Sequence, residues 1–118
     1  MAITSEIIGK LGGGADVEET PVSVAASGDA RSVEVLHTAQ VPAGEVWLIA
    51  AVGEIAPRYS GASNSPLFYI GDQQNNGYIA SGTLSMAALC EGEATVRIQR
   101  NSGNGSDSFT GHVYTVKL

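Results

Sequence analysis

Histidine, cysteine and paired carboxylates carry most protein chemistry, and this chain holds few of them at useful spacings. His37 stands between Leu36 and Thr38, and His112 stands beside Gly111. Neither belongs to a His-x-His or His-x-x-x-His pair, and one cysteine, Cys90, leaves a zinc site short of ligands. Cys90 closes an apolar run just before Glu91-Gly92-Glu93, a place that suits a half-buried structural thiol. No Gly-x-Ser-x-Gly elbow presents a nucleophilic serine. Carboxylates pair at Glu18-Glu19 and at Glu91 and Glu93. Glycoside hydrolysis needs two carboxyl groups facing each other at roughly 5 to 10 Å. Glu91 and Glu93 instead flank a glycine, where a turn is expected to aim both at solvent. Asp72 to Gly77 sets oxygen side chains at alternate positions before a glycine, as a calcium loop does, with Asp72 and Asn76 the ligands it would use. The place of the bidentate glutamate holds Thr83, so this run is read as a polar hairpin turn. Gly12-Gly13-Gly14 lacks a following Lys-Ser/Thr and cradles no phosphate. The residues thus predict no enzyme, no cofactor and no metal, but a protein that works through contacts.

The bulk composition agrees with that expectation. The chain has 118 residues, enough for one domain, and 15% of them are charged. Soluble domains average about 25% charged residues. Fifteen glycines between short apolar runs suit closely spaced strands with tight turns better than long solvated helices. The net charge is -6, and the bases are scattered at Lys10, Arg31, Arg58, Arg97, Arg100 and Lys117. Without a basic face, direct binding to nucleic acid or to an anionic membrane is not expected. A lone cysteine and the absence of a basic head with a long apolar stretch at the start predict folding in a reducing cytoplasm.

The elements follow from the spacing of apolar residues. Ile3, Ile7, Ile8 and Leu11 lie at intervals compatible with one face of a short helix, which Gly12 to Gly14 would end and hinge. The alternative for this segment is a first strand packed on the domain, or a tail. From Thr20 the pattern has period two, with Val22, Val24 and Ala26, then Val33 and Val35. Pro42-Ala43-Gly44 predicts a β-turn with Pro42 at its first corner and a positive φ at Gly44. The strand after it is apolar on both faces from Val46 to Val52, which places it centrally in a sheet. Further strands are expected over Leu67 to Ile70, Leu84 to Leu89, Ala94 to Arg100 and Phe109 to Leu118. In the last one, Tyr114, Val116 and Leu118 share one face, and Phe109 and Val113 the other. About eight strands at short intervals predict an all-β fold, a single antiparallel β-sandwich of jelly-roll type. The expected organisation is an arm and glycine hinge over 1–19 and a β-sandwich domain over 20–118.

Two stretches carry a resemblance. Glu91 to Ile98, a loop, and then Ser108-Phe109-Thr110-Gly111-His112-Val113-Tyr114 resemble the end of complement- and tumour-necrosis-factor-like jelly rolls. That likeness implies assembly as a trimer. Val41-Pro42-Ala43-Gly44-Glu45-Val46-Trp47, with the short length and acidic balance, is similar to small virion proteins of tailed bacteriophages. This second likeness implies a homotrimeric capsid decoration protein on the virion surface, added after assembly in the host cytoplasm. Carried over, Ile3, Ile7, Ile8 and Leu11 would dock on the major capsid protein, with Gly12 to Gly14 as hinge. Burying each aliphatic contributes about 1.5 kcal/mol, while ordering each residue costs about 1 kcal/mol. One arm alone would then bind weakly, and three linked arms would bind well. The alternative expectation is a carbohydrate- or receptor-binding module at a tail tip, with Tyr59, Tyr69 and Tyr78 as its aromatic platform.

Overall fold

A computed structural model describes residues 17–59, 65–75, 77 and 79–118. These form eight strands: β1 (Val17–Ala26), β2 (Val33–Gln40), β3 (Trp47–Ala56), β4 (Leu67–Ile70), β5 (Gln73–Gln74), β6 (Gly82–Cys90), β7 (Glu93–Gln99) and β8 (Asp107–Lys117). The described residues include no helix. β1 pairs with β8, β2 with β7, β3 with β6 and β4 with β5, all antiparallel. The chain is therefore one long hairpin whose tip is Gly71-Asp72, rolled so that successive pairs fall on opposite layers. Closing contacts between β3 and β8 and between β4 and β7 complete two four-stranded sheets, β1-β8-β3-β6 and β2-β7-β4-β5. This is the jelly-roll order expected from the strand count.

The sheets enclose a core in which the rings of Phe68 and Phe109 meet at 5.2 Å and a tilt of 51°. Ile49, Ala51 and Ile55 of β3, Val96 and Ile98 of β7 and Val113 of β8 surround them. β3 lies between β8 and β6, the central position expected for it. β1 is an edge strand, and this is why Pro21, which donates no backbone hydrogen bond, fits inside it.

Several local expectations shift. β1 begins at Val17, so Val17, Glu18 and Glu19, read from the sequence as part of the arm, pair with Val116, Thr115 and Tyr114. In the Pro42 turn the Glu45 amide donates to the Pro42 carbonyl at 3.0 Å. Pro42 is thus the first residue of the turn rather than its first corner, and Gly44 takes the positive φ of 84° that a type II turn needs. The turn joins strands of opposite sheets. Asp72 to Gly77 is not one turn: the chain reverses at Gly71-Asp72, and Gln73-Gln74 forms β5. The Asn75 carboxamide oxygen accepts from the Phe68 amide at 2.9 Å, continuing the ladder with a side chain.

Candidate functional site

The residues that could have done chemistry are dispersed. His37 is half-buried on β2 opposite Val96, and His112 lies on the far layer with its Nε2 3.3 Å from a Glu19 carboxylate oxygen. Glu91 and Glu93 are exposed, and the Glu93 carboxylate accepts from the Gln40 carboxamide at 2.8 Å. Cys90 is buried, and its Sγ lies 3.7 Å from the Ala88 carbonyl oxygen. Burial, reinforced by the Asp72 charge, pushes this thiol above its ordinary value of 9.0, which suppresses the nucleophilic thiolate. Among the described residues, no three His, Cys, Asp or Glu side chains gather closely enough to hold a metal ion. Ile3, Ile7, Ile8, Leu11, the Gly12 to Gly14 hinge, Asn76 and Tyr78 lie outside the described residues.

One buried polar cluster was not anticipated. Arg100 is completely buried, and its Nε donates to the Asp107 carboxylate at 2.9 Å. Its two terminal nitrogens donate to the carbonyls of Gly28, at 2.5 Å, and Asn104, at 2.8 Å. The other Asp107 oxygen accepts the Arg58 amide at 2.7 Å. Every nitrogen of the guanidinium and both carboxylate oxygens are thus engaged, and three loops are tied together at one end of the sandwich. A pair so enclosed and satisfied is structural. Its sequence signal is phase. Ala94, Val96 and Ile98 point inward, and Arg100 is next in that series.

Two tyrosines of the expected platform, Tyr69 and Tyr59, are engaged by arginines. Arg97 lies over the Tyr69 ring at 4.5 Å, and the Tyr69 hydroxyl donates to the Gln74 side chain at 3.3 Å. Arg58 lies over Tyr59 at 5.0 Å. Trp47, at the margin of the core, donates its indole N–H to Glu45 at 3.0 Å and has the Lys117 ammonium over its ring at 5.1 Å.

The most distinctive surface is the outer face of the β1-β8-β3-β6 sheet. Side chains directly opposite each other in a ladder share a face, so the register arranges this face into cross-strand rows. One row is Val17, Val116, Leu48 and Leu89, and the next is Glu19, Tyr114, Ala50 and Ala87. A third is Pro21, His112, Val52 and Ser85, and the fourth, Ser23, Thr110, Glu54 and Thr83, is wholly polar. Polarity thus rises steadily from the β1 start toward the other end of the sheet. A groove of 860 Å³ runs along the β3–β6 side of this face, from Leu48 through Ala50 and Ala87 to Ser85 and Thr83, with Gln73 also lining it. Leu89 and Val52 are 51% and 40% exposed, while Leu48 and Val116 retain only 2% and 1%. The exposed apolar surface of this face is therefore carried by Leu89 and Val52 rather than by the Leu48–Val116 pair.

No protein-family model, curated protein or solved structure matches this chain.

Proposed function

We propose that this protein is a non-enzymatic virion structural component, a trimeric decoration protein that stabilises a capsid through its N-terminal arm. The reading rests on the two sequence resemblances. The observation that best supports it is the apolar outer face beside Val17, where the arm joins the jelly roll. An arm of four aliphatic residues, a glycine hinge and an apolar platform at its root are the parts a docking protein needs. Replacing Ile7 and Ile8 together by Asp should abolish co-sedimentation with the major capsid protein's lattice while the oligomer remains folded. Retained co-sedimentation would rule out the arm as the anchor.

A second reading, a carbohydrate-binding module, is favoured by one cluster. Tyr69, Arg97 and Gln74 place an aromatic ring among polar groups on the outer face of the other sheet. Loss of glycan binding on Tyr69→Ala, with the arm dispensable, would support it over the first.

A further inference from the structure

Arg97 and Arg100 lie close together in the chain and are used in opposite ways. Every nitrogen of Arg100 is engaged by an acceptor of its own chain. Arg97 is not closed in this way. It stands on the outer face of the β2-β7-β4-β5 sheet, in a cross-strand row with Val35, Tyr69 and Gln74. Its Nη1 donates to the Gly71 carbonyl at 2.9 Å and to the Thr95 hydroxyl at 3.0 Å, which uses both hydrogens of that nitrogen. The Tyr69 ring lies 4.5 Å from its Cζ. Three contacts thus fix the guanidinium in position and direction. Nε and Nη2 have no hydrogen-bond partner among the described residues. These two nitrogens form the edge whose parallel N–H bonds meet a carboxylate in a bidentate pair.

No carboxylate of the described residues supplies that pair. Their ion pairs join Arg100 to Asp107 and His112 to Glu19. The outer rows on either side of Arg97 hold Val33, Gln99 and Leu67, and Thr38 and Thr95. In a chain of twelve acids and six bases, a guanidinium fixed in place with no acid beside it is preorganised for an acid from outside. The neighbours narrow the class of that acid. Val35 and Leu67 offer apolar surface, while Gln74 and Gln99 offer neutral carboxamides. Sugar rings present the matching set, apolar C–H faces and hydroxyl edges. A net charge of -6 repels a densely charged polyanion, so the acidic groups must be sparse. One fork suits one carboxylate on one ring.

We propose that Arg97 anchors a site for an acidic saccharide, a sugar bearing a carboxylate such as a uronic or sialic acid. The carboxylate meets Nε and Nη2, and the ring lies against the side chains around them. Tyr69 and Thr95 act as positioning residues that hold the fork. This inference rests on the carbohydrate-binding reading and names the ligand class of the same cluster.

The test is an NMR titration of the full-length protein with two pairs of probes that differ in the acid group. One pair is tetragalacturonate and its methyl ester, and the other is sialyllactose and lactose. At least one acidic probe should shift the Arg97 Nε–H resonance and bind about tenfold or more tighter than its neutral counterpart. Arg97→Lys keeps the charge without the fork and should weaken the acidic probe about tenfold, and Arg97→Gln should remove its advantage over the neutral one. The comparison of probes on the natural chain stands even if a variant fails to fold. Equal binding of acidic and neutral probes would overturn the acid preference and leave the carbohydrate reading in place. Binding of neither kind would overturn both. Arg97-dependent binding of a glutamate-rich peptide, with no response to the sugars, would also overturn the proposal by assigning the fork to a protein partner.

Discussion

At the scale of single residues, the Arg100–Asp107 pair gives the sharpest expectation. Both groups are out of water, so removing one leaves a buried charge without its counterion. Arg100→Ala should cost about 3 to 5 kcal/mol in urea unfolding. Replacing both partners by apolar residues of similar size should cost less than either single change, because neither charge is then stranded. Gly53 and Gly111 form a second constraint. They face each other across β3 and β8, and a Cβ on Gly111 would come 2.2 Å from the Val52 carbonyl oxygen. A Cβ on Gly53 would lie 2.4 Å from the Thr110 carbonyl oxygen and 2.8 Å from the Phe109 ring. Gly111→Ala should therefore destabilise by about 1 to 3 kcal/mol or more through overpacking, read as a lower urea midpoint. Cys90 links the core to pH. Unfolded, its thiol ionises near 9.0, whereas the folded thiol stays neutral to higher pH. Its contribution to stability is then complete below that value and is lost as pH rises through the folded thiol's higher one. Between about pH 8 and about pH 10 the natural chain should lose more stability than Cys90→Ala. These residues were only partly legible in advance. Phase along β7 points Arg100 inward, but nothing local in the sequence names Asp107 as its partner, because their contact depends on how the loop between them closes.

At the scale of elements, β2 shows why alternation alone misleads. Val33 and Val35 oppose Gln99 and Arg97 on the outer face, and they are 50% and 47% exposed. A bulge at Leu36 then resets the phase, so that His37 and Ala39 oppose inward-facing Val96 and Ala94. The valines look like core in the sequence because an extra residue in one strand leaves no compositional mark. Val33→Thr and Val35→Thr should each change stability by about 0.5 kcal/mol or less. Val96→Ala, opposite the bulge and fully enclosed, should cost about 2 kcal/mol in the same unfolding assay. β3 was easier to read. Its apolar run predicts a central strand, and β3 lies between β8 and β6. Central placement does not by itself account for Leu48 and Ala50, which face outward from a single layer in the rows described above. Glu18 and Glu19 interrupt the apolar alternation and so hide the start of β1 in the sequence, although an edge strand tolerates charge on either face.

At the scale of the whole molecule, strand number, sandwich class and jelly-roll type are legible because turn residues recur at short, even intervals. The assignment of strands to layers is not, since it depends on pairings between residues far apart in the chain. The same arrangement governs how the protein comes into being. Val17 pairs with Val116, and β2 pairs with β7. A fold dominated by such distant pairings forms slowly, in milliseconds to seconds. On the ribosome, β1 and β2 emerge before β7 and β8 and must wait, unpaired, until those strands have been made. Pro21 within β1, and Glu18 and Glu34 on the inward phase of β1 and β2, make the waiting strands poor templates for a neighbouring nascent chain. A message truncated before β8 would leave β1 without the strand it pairs with, and its product would be a substrate for chaperones and proteases rather than a smaller version of this molecule.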